Sequence, residues 1–458
     1  MAAEPSVFAQ RPRFALVSDL DWTMVDHADA THEKLLRFNR CWMTEFAPDS
    51  LLVFSTGRSP PLFHDLAGEV PLLTPDILVC SVGTEILING QPDAEWEEYL
   101  NQGWDRAAAL AVAAQLPDLV LQRDSEQRPH KISFKLSVAD PEAVLSKLRS
   151  GLAATGLDCN VIFSGGVDVD ILPSRASKGK ALSFLLKQLE AGAGLPEAGV
   201  MVCGDSGNDV ELFAVPGVHG CVVANAHKEL RDWADANMHD RIYVATEDGP
   251  GGIYEALHHF SFPNPAKADT VHRRQAVVSS VRYLEDWCNA AVPNDAAECS
   301  RQMEVLDGDF EYVQPTGAIL SRRELLDWLT AQGYGSKALS PSSSHAAGGS
   351  GAGGGSSAGG AAAVAEQAAA PASPAEAGGA SGSGRARMWI DRWSEKELAP
   401  GVWLVRYMEL HQPFAEGEHT ATQRSGRWAS AVLRQQVGNS YRIAYIHETY
   451  VPQESARA

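Results

Sequence analysis

The chain has 458 residues, 45% of them hydrophobic, and a formal net charge of −20 at pH 7. That length allows two or three domains with real cores, and that charge argues against nonspecific binding to nucleic acid or to an anionic membrane surface. No stretch has the length and apolarity of a membrane span, and the N-terminal MAAEPSVFAQRPR has neither a signal-peptide core nor the make-up of a transit peptide.

In chain order, FALVSDL predicts a buried strand that stops at two carboxylates, Asp19 and Asp21. LLVFSTGRSP and DILVCSVG are two more apolar strands, each ending in a polar loop. The stretch from Asn89 to Ile171 differs: KISFKLSV alternates as a strand, PEAVLSKLRSGLAATG reads as a helix, and NVIFSGGVDVDILP reads as one further strand. This predicts a smaller α+β unit inserted into the sheet domain. In KGKALSFLLKQLEAG, Leu182, Leu185, Leu186 and Leu189 share one helical face. VMVCGDSGNDVELF then supplies a fourth strand and another polar loop. Apolar strands separated by helices predict an α/β parallel sheet, whose ligands bind at the carboxyl ends of the strands.

A third unit begins near Thr270 with helices at VSSVRYLEDWCNAAV and SRRELLDWL. It continues with four strand-like stretches, ARMWIDRWSE, GVWLVRYMELHQ, RWASAVLRQQ and YRIAYIHETYV, which suit a curved antiparallel sheet. Between them, residues 336–386 are almost all Gly, Ala, Ser and Pro and are expected to be disordered, interrupting this domain rather than bounding it. Cys41, Cys80, Cys159, Cys203, Cys221, Cys288 and Cys299 are scattered, with no CxxC spacing. They read as reduced thiols, and the expected location is cytoplasmic.

The polar loops carry the chemistry. Asp19 and Asp21 can hold a hard cation, attack phosphorus and move a proton; alone, they could equally be turn formers or a helix cap. Ser55, Thr56, Gly57 and Arg58 suit phosphate oxygens, or are an ordinary loop. Lys178 opens the leucine-faced helix, the unfavourable end for a cation, as a phosphate ligand or a surface charge. Asp205, Asn208 and Asp209 surround Gly207 and can ligate a metal and reach phosphate, or can simply form a turn and cap.

Taken together, the motifs DLDWT, STGR, the helix-opening lysine and GDSGND, in this order at four strand ends, resemble the haloacid dehalogenase superfamily. DLDWTMVDH, LLTPDILVCSVGTEI, VDVDILPSRASKGKALSFLL and CGDSGNDVELF further resemble the sucrose-phosphatases of plants and algae, over residues 14–260 and more loosely beyond. The resemblance implies a Rossmann-like parallel-sheet core (1–90 and 172–262), an inserted α+β cap (91–171) and a C-terminal α+β cone like that of nuclear transport factor 2 (270–458). It implies Asp19 as nucleophile, Asp21 as general acid/base, and Mg²⁺ held by Asp19, Asp21 (through its carbonyl), Asp205 and Asp209. Phosphate would lie against Ser55, Thr56, Gly57, Arg58, Lys178 and Asn208. Trp22 stands where the plant relatives often have His.

The implied activity is hydrolysis of sucrose 6-phosphate, the last step of sucrose synthesis. The implied partners are sucrose-phosphate synthase and a second copy of the chain through the C-terminal domain. Sugar choice is expected from Lys131, Lys135, Asp168, Asp170 and the Gly83-Thr84-Glu85 loop. Trp389, Trp393, Trp403 and Trp428 are expected to pack in the core, and His447-Glu448 to be strand packing. The rival readings are another sugar phosphatase of the superfamily, which only cap contacts distinguish, and a catalytically silent sugar-binding or scaffold protein, which predicts a broken acidic set.

Overall fold

The computed structural model describes residues 7–164, 166–262, 268–335, 385–414 and 424–451. The first strands are β1 (Phe14–Ser18), β2 (Ser50–Ser55), β3 (Ile77–Cys80), β4 (Glu85–Ile88) and β5 (Gln91–Pro92). An excursion follows through β6 (Leu119–Leu121), β7 (Ile132–Leu136), β8 (Cys159–Ser164) and β9 (Asp168–Pro173). The chain then returns with β10 (Val200–Gly204), β11 (His219–Val222) and β12 (Ile242–Val244). One eight-stranded sheet runs β12-β11-β10-β1-β2-β3-β4-β5. It is parallel from β12 to β3, with β4 and β5 added antiparallel. Every residue of β1, β2, β3 and β10 is buried, which explains why these strands read as unbroken apolar runs rather than alternations. This is the parallel-sheet core that the sequence predicts.

The excursion forms its own antiparallel sheet, β6-β7-β9-β8. NVIFSGGVDVDILP is not one strand but the hairpin β8–β9, closed where Ser164 pairs with Asp168 and Gly166 turns with φ 71°. One face of this sheet, with Ile132, Phe134, Val169 and Ile171, packs on the helix Pro141–Ala154 as a separate apolar cluster. The helix Ala94–Asn101 lies within the range expected for the cap. Its Trp96 and Leu100 nonetheless join the larger cluster of the core, where the Trp96 ring lies 4.9 Å from that of Phe184.

The last unit has β13 (Leu306–Val313), β14 (Ile319–Ser321), β15 (Arg385–Ala399), β16 (Val402–Phe414), β17 (Ser425–Gln435) and β18 (Tyr441–Tyr450), in sheet order β14-β13-β18-β17-β16-β15. Its pairings are antiparallel except for β13 with β18. Of the segment 336–386 expected to be disordered, 336–384 lies outside the described residues; Arg385 and Ala386 open β15 instead, where Ala386 pairs with Pro413. Trp389 is buried, Trp393 stacks on Tyr407, and the Arg273 guanidinium sits 3.6 Å from the Trp403 ring. Trp428 departs from the core expectation, at 38% exposure.

This unit shares one continuous apolar cluster with the core. Asp391 accepts hydrogen bonds from Thr74 N and Oγ1, Gln412 donates to the Glu69 carbonyl, and Arg274 to the Met43 carbonyl. All three contacts fall just before β2 or β3, at the strand ends remote from Asp19. No helix among the described residues is long and apolar enough to cross a membrane.

Candidate active site

β10, β1 and β2 are neighbours in that order, so the residues after Gly204, Ser18 and Ser55 converge at one edge of the sheet. After β1 the backbone makes a tight turn. Trp22 takes φ 63°, and Val25 N and Thr23 N both bond the Leu20 carbonyl. The turn leaves the Trp22 side chain partly exposed and brings Thr23 inward.

Lys178 is the first residue of the helix Lys178–Ala191, which Ser177 caps by accepting from Lys180 N at 3.1 Å. Its ammonium lies 2.8 Å from Asp19 Oδ1 and 2.8 Å from Asp209 Oδ1, and its side chain is completely buried. Gly83 lets the helix in: with φ +85°, a Cβ there would lie 2.4 Å from the Ser177 carbonyl. Asp209 Oδ2 accepts from the amides of Asp205 and Ser206, 3.1 Å each. Asp209 is thereby saturated and fixes Lys178. Asp205 Oδ1 accepts from Thr23 Oγ1 at 3.0 Å.

Asp19 Oδ1 also takes the Leu20 amide at 2.8 Å, while Oδ2 accepts no hydrogen bond among the described residues. Asp19, Asp205 and Asp209 place carboxylate oxygens within 4.8 Å of one another. Burial first and Asp209 second raise the Asp19 carboxyl well above its ordinary range against the pull of Lys178. The same two causes push Asp205 up to about 6. Three buried carboxylates facing one ammonium leave an unmet negative charge, and an all-oxygen donor set suits a hard divalent cation.

Asp21 is arranged differently. Its carboxylate turns away from this cluster to a bidentate pair with Arg58 (2.7 and 2.8 Å) and to His27 Nε2 at 2.7 Å. Burial raises its pKa, but the hydrogen bonds from His27 and Arg58 outweigh burial and hold it well below the usual carboxylate range. Arg58, expected at the phosphate, is thus held by Asp21. Thr56 Oγ1 accepts from Arg58 N, Ser55 Oγ is buried without a partner among the described residues, and Asn208 is exposed, bonded to Ser206.

The small sheet presents Lys131, Ser133, Lys135, Asp168 and Asp170 on the face opposite its apolar cluster, as the alternation of KISFK and DVD requires. Lys131 is buried against Glu126 (3.0 Å) and reaches the Gly57 carbonyl at 3.4 Å. Ser59 donates to Glu126 at 2.7 Å, and Arg128 makes a bidentate pair with Glu85, 2.8 Å each. Lys135 pairs with Asp168 alone, half exposed. Sequence reasoning missed His27, Thr23, Glu126 and Arg128. Each acts through a partner distant in sequence or across a turn, and only Thr23 carried a signal, as the last position of DLDWT.

The family model for sucrose-6F-phosphate phosphohydrolase matches residues 12–261. Sucrose-phosphatase 1 of Nicotiana tabacum is 42% identical over 320 residues, 67% of this chain and 75% of that protein. Probable sucrose-phosphatase 3b of Arabidopsis thaliana is 45% identical over 342 residues, 71% of this chain and 80% of that protein. The X-ray structure of the sucrose-phosphatase from Synechocystis sp. PCC6803 in complex with sucrose and phosphate is 35% identical. That match covers 55% of this chain and 99% of that one, with a TM-score of 0.48.

Proposed function

The chain belongs to the sucrose-6F-phosphate phosphohydrolase family of phosphoric monoester hydrolases, and from that premise we propose that it hydrolyses sucrose 6-phosphate to sucrose and phosphate, with Mg²⁺ and through an aspartyl-phosphate, as the last step of sucrose synthesis. The observation that carries this reading is the buried Lys178 bridging Asp19 and Asp209 while Asp19 Oδ2 stays unbonded. A lysine so placed fixes the nucleophile's orientation and leaves one oxygen lone pair to attack.

Asp19 Oδ2 forms the bond to phosphorus as the bond from phosphorus to the sugar oxygen breaks, and Asp21 gives that oxygen its proton. Water then attacks the phosphoryl group, returns a proton to Asp21, and the Asp19–phosphorus bond breaks. Asp19, Asp205 and the Asp21 carbonyl, with Asp209 in support, would hold Mg²⁺, which would supply positive charge that lets one anion approach another.

To serve as an acid Asp21 must gain a proton, which its pairing with Arg58 and His27 opposes. The reading therefore has Arg58 leave Asp21 for the arriving phosphate, which raises the Asp21 pKa at the moment a proton is needed. Ser55, Thr56, Gly57, Lys178 and Asn208 complete the phosphate site. The contacts of Glu126, Arg128 and Lys131 with Ser59, Glu85 and Gly57 support a cap that closes over the sugar and excludes water.

The test is phosphate release from a panel of sugar phosphates, with Mg²⁺ and with EDTA, for wild type and Asp19→Asn. The expected result is metal-dependent release chiefly from sucrose 6-phosphate, lost in the variant. Preference for another sugar would overturn the substrate and keep the mechanism; release that survives Asp19→Asn would overturn the mechanism.

A further inference from the structure

Beneath the helix Ala268–Cys288, on the inner face of the last sheet, lies a cavity of about 60 Å³. Its wall is mainly apolar, with Val281, Leu284, Met303 and Trp328 among the lining residues. At one end four polar side chains enter it: Tyr312, Tyr407, Glu409 and Glu448. The cross-strand register explains the opening. Tyr407, Ala429 and Glu448 form one row across β16, β17 and β18, and the next row places Val405, Ala431 and Ile446 side by side. The central positions of both rows, Ala429 and Ala431, are alanines, so no large side chain stands between Tyr407 and Glu448.

The polar end is only partly satisfied. Glu448 Oε2 accepts from Tyr312 (2.7 Å) and Arg427 (3.1 Å), and Glu409 Oε1 pairs with His411 at 2.6 Å. Among the described residues the second oxygen of each carboxylate and the Tyr407 hydroxyl have no hydrogen-bond partner. Yet Tyr407 is 2% exposed and both glutamates 5%. Three unmet polar atoms at the end of an apolar cavity call for a ligand or ordered water, because leaving such groups dry is costly. The sequence pair His447-Glu448, read as strand packing, therefore contributes a cavity-lining acid.

We propose that this cavity is a second binding site, separate from the phosphatase centre, for a small molecule with a short apolar body and a hydrogen-bond-donating head, an ammonium or a hydroxyl. Glu409, which burial raises but His411 holds below the ordinary carboxyl range, keeps an acceptor position open, selects donors and repels carboxylate or phosphate heads; Glu448, which burial and Glu409 push up to about 7, adds a second acceptor when ionised. Size sets the other limit. At about 15 Å³ of such volume per water, the cavity takes roughly four waters, or an organic molecule of about five heavy atoms. Sucrose 6-phosphate cannot enter, so the site is independent of the proposed substrate.

The test is calorimetric titration and thermal shift of the full chain with n-butylammonium chloride, n-butanol and sodium butyrate. The ammonium or the alkanol, or both, are expected to bind and raise the melting temperature, and butyrate not to. If only the ammonium binds, the head is a cation; if both bind, donation alone selects. Tyr407→Phe, which removes one hydroxyl, is expected to weaken binding up to about tenfold, and Ala429→Leu to abolish it. Phosphatase activity reports that each variant is folded; if Ala429→Leu does not fold, Tyr407→Phe and Glu448→Gln carry the comparison. Equal binding of butyrate, no binding by wild type, or wild-type affinity in the folded variants would each overturn the proposal.

Discussion

Replacing Lys178 by Met removes the only ammonium among the described residues that is bonded to Asp19 and Asp209, while nearly keeping its volume. Neither lysine nor Asp209 has any side-chain exposure, and Asp19 has 8%, so water cannot take over. Removing one partner of a buried pair costs about 3–5 kcal/mol. An independent bound agrees. The variant can always relieve the repulsion by protonating one more carboxyl, at about 1.4 kcal/mol for each pH unit above an ordinary value near 4. That limits the repulsive part of the loss to about 4 kcal/mol at pH 7 and about 1.5 kcal/mol at pH 5.

The sign follows from the raised carboxyl: its folded form is favoured protonated, so stability is lost as pH climbs from the unfolded value toward the folded one. Urea or thermal denaturation in EDTA at pH 5, 6 and 7 reads the loss, and 4 kcal/mol corresponds to a drop of roughly 6 °C for a cooperative unit of about 300 residues. Added Mg²⁺ should restore part of it. A loss below about 1 kcal/mol at pH 7, or one that does not change with pH, would refute the account of the cluster.

Gly83→Ala should place a Cβ against the Ser177 carbonyl and Lys178 amide, costing about 1–3 kcal/mol and lowering kcat through the displaced lysine; unaltered melting and turnover would contradict the close approach. Asp21→Asn should slow steady turnover of sugar phosphates about 10²–10⁴-fold. With p-nitrophenyl phosphate, whose leaving group needs no acid, it should give a stoichiometric burst and then stall, and rapid-quench measurement of nitrophenol checks this. Glu285, which burial pushes up to about 7 despite Arg282, has one oxygen without a partner among the described residues. Its folded form holds a proton that the unfolded form releases near pH 4.5, so stability should fall by about 2–3 kcal/mol between pH 5 and 7.5. Denaturation of Glu285→Gln across that window should lack this slope.

The parts of the site that follow from local pattern were legible. A strand buried on both faces must be apolar throughout, so the abrupt polar stops after Ser18, Ser55 and Gly204 marked the carboxyl edge of the sheet. KISFKLSV was legible as an alternating strand, and the structure sets its Lys131 and Lys135 on one face. The pairing of Arg58 with Asp21 was not legible, because it depends on a turn in which Trp22 takes a left-handed φ. The same turn hides His27, six residues on. The hairpin β8–β9 was misread although two glycines mark its turn, because both arms are apolar enough to read as a single strand. Trp96 was given to the cap by chain position, whereas its partner Phe184 lies on a helix that enters much later. Contacts of that range leave no periodic trace.

The two apolar clusters have a consequence for how the molecule comes apart. The inserted sheet holds most of its interior to itself, with Leu172 and Ile162 on the core cluster, so it can separate from the rest by giving up chiefly polar pairs at its border and stay folded as it does. The interior of the last unit is continuous with that of the first sheet: Trp389, Tyr407 and Leu433 belong to the same cluster as Phe14 and Leu16. Heating should therefore melt these two in one cooperative step, preceded at lower free energy by excursions of the inserted unit alone. A lesion among the C-terminal strands, far from any phosphate, then shortens the life of the whole enzyme.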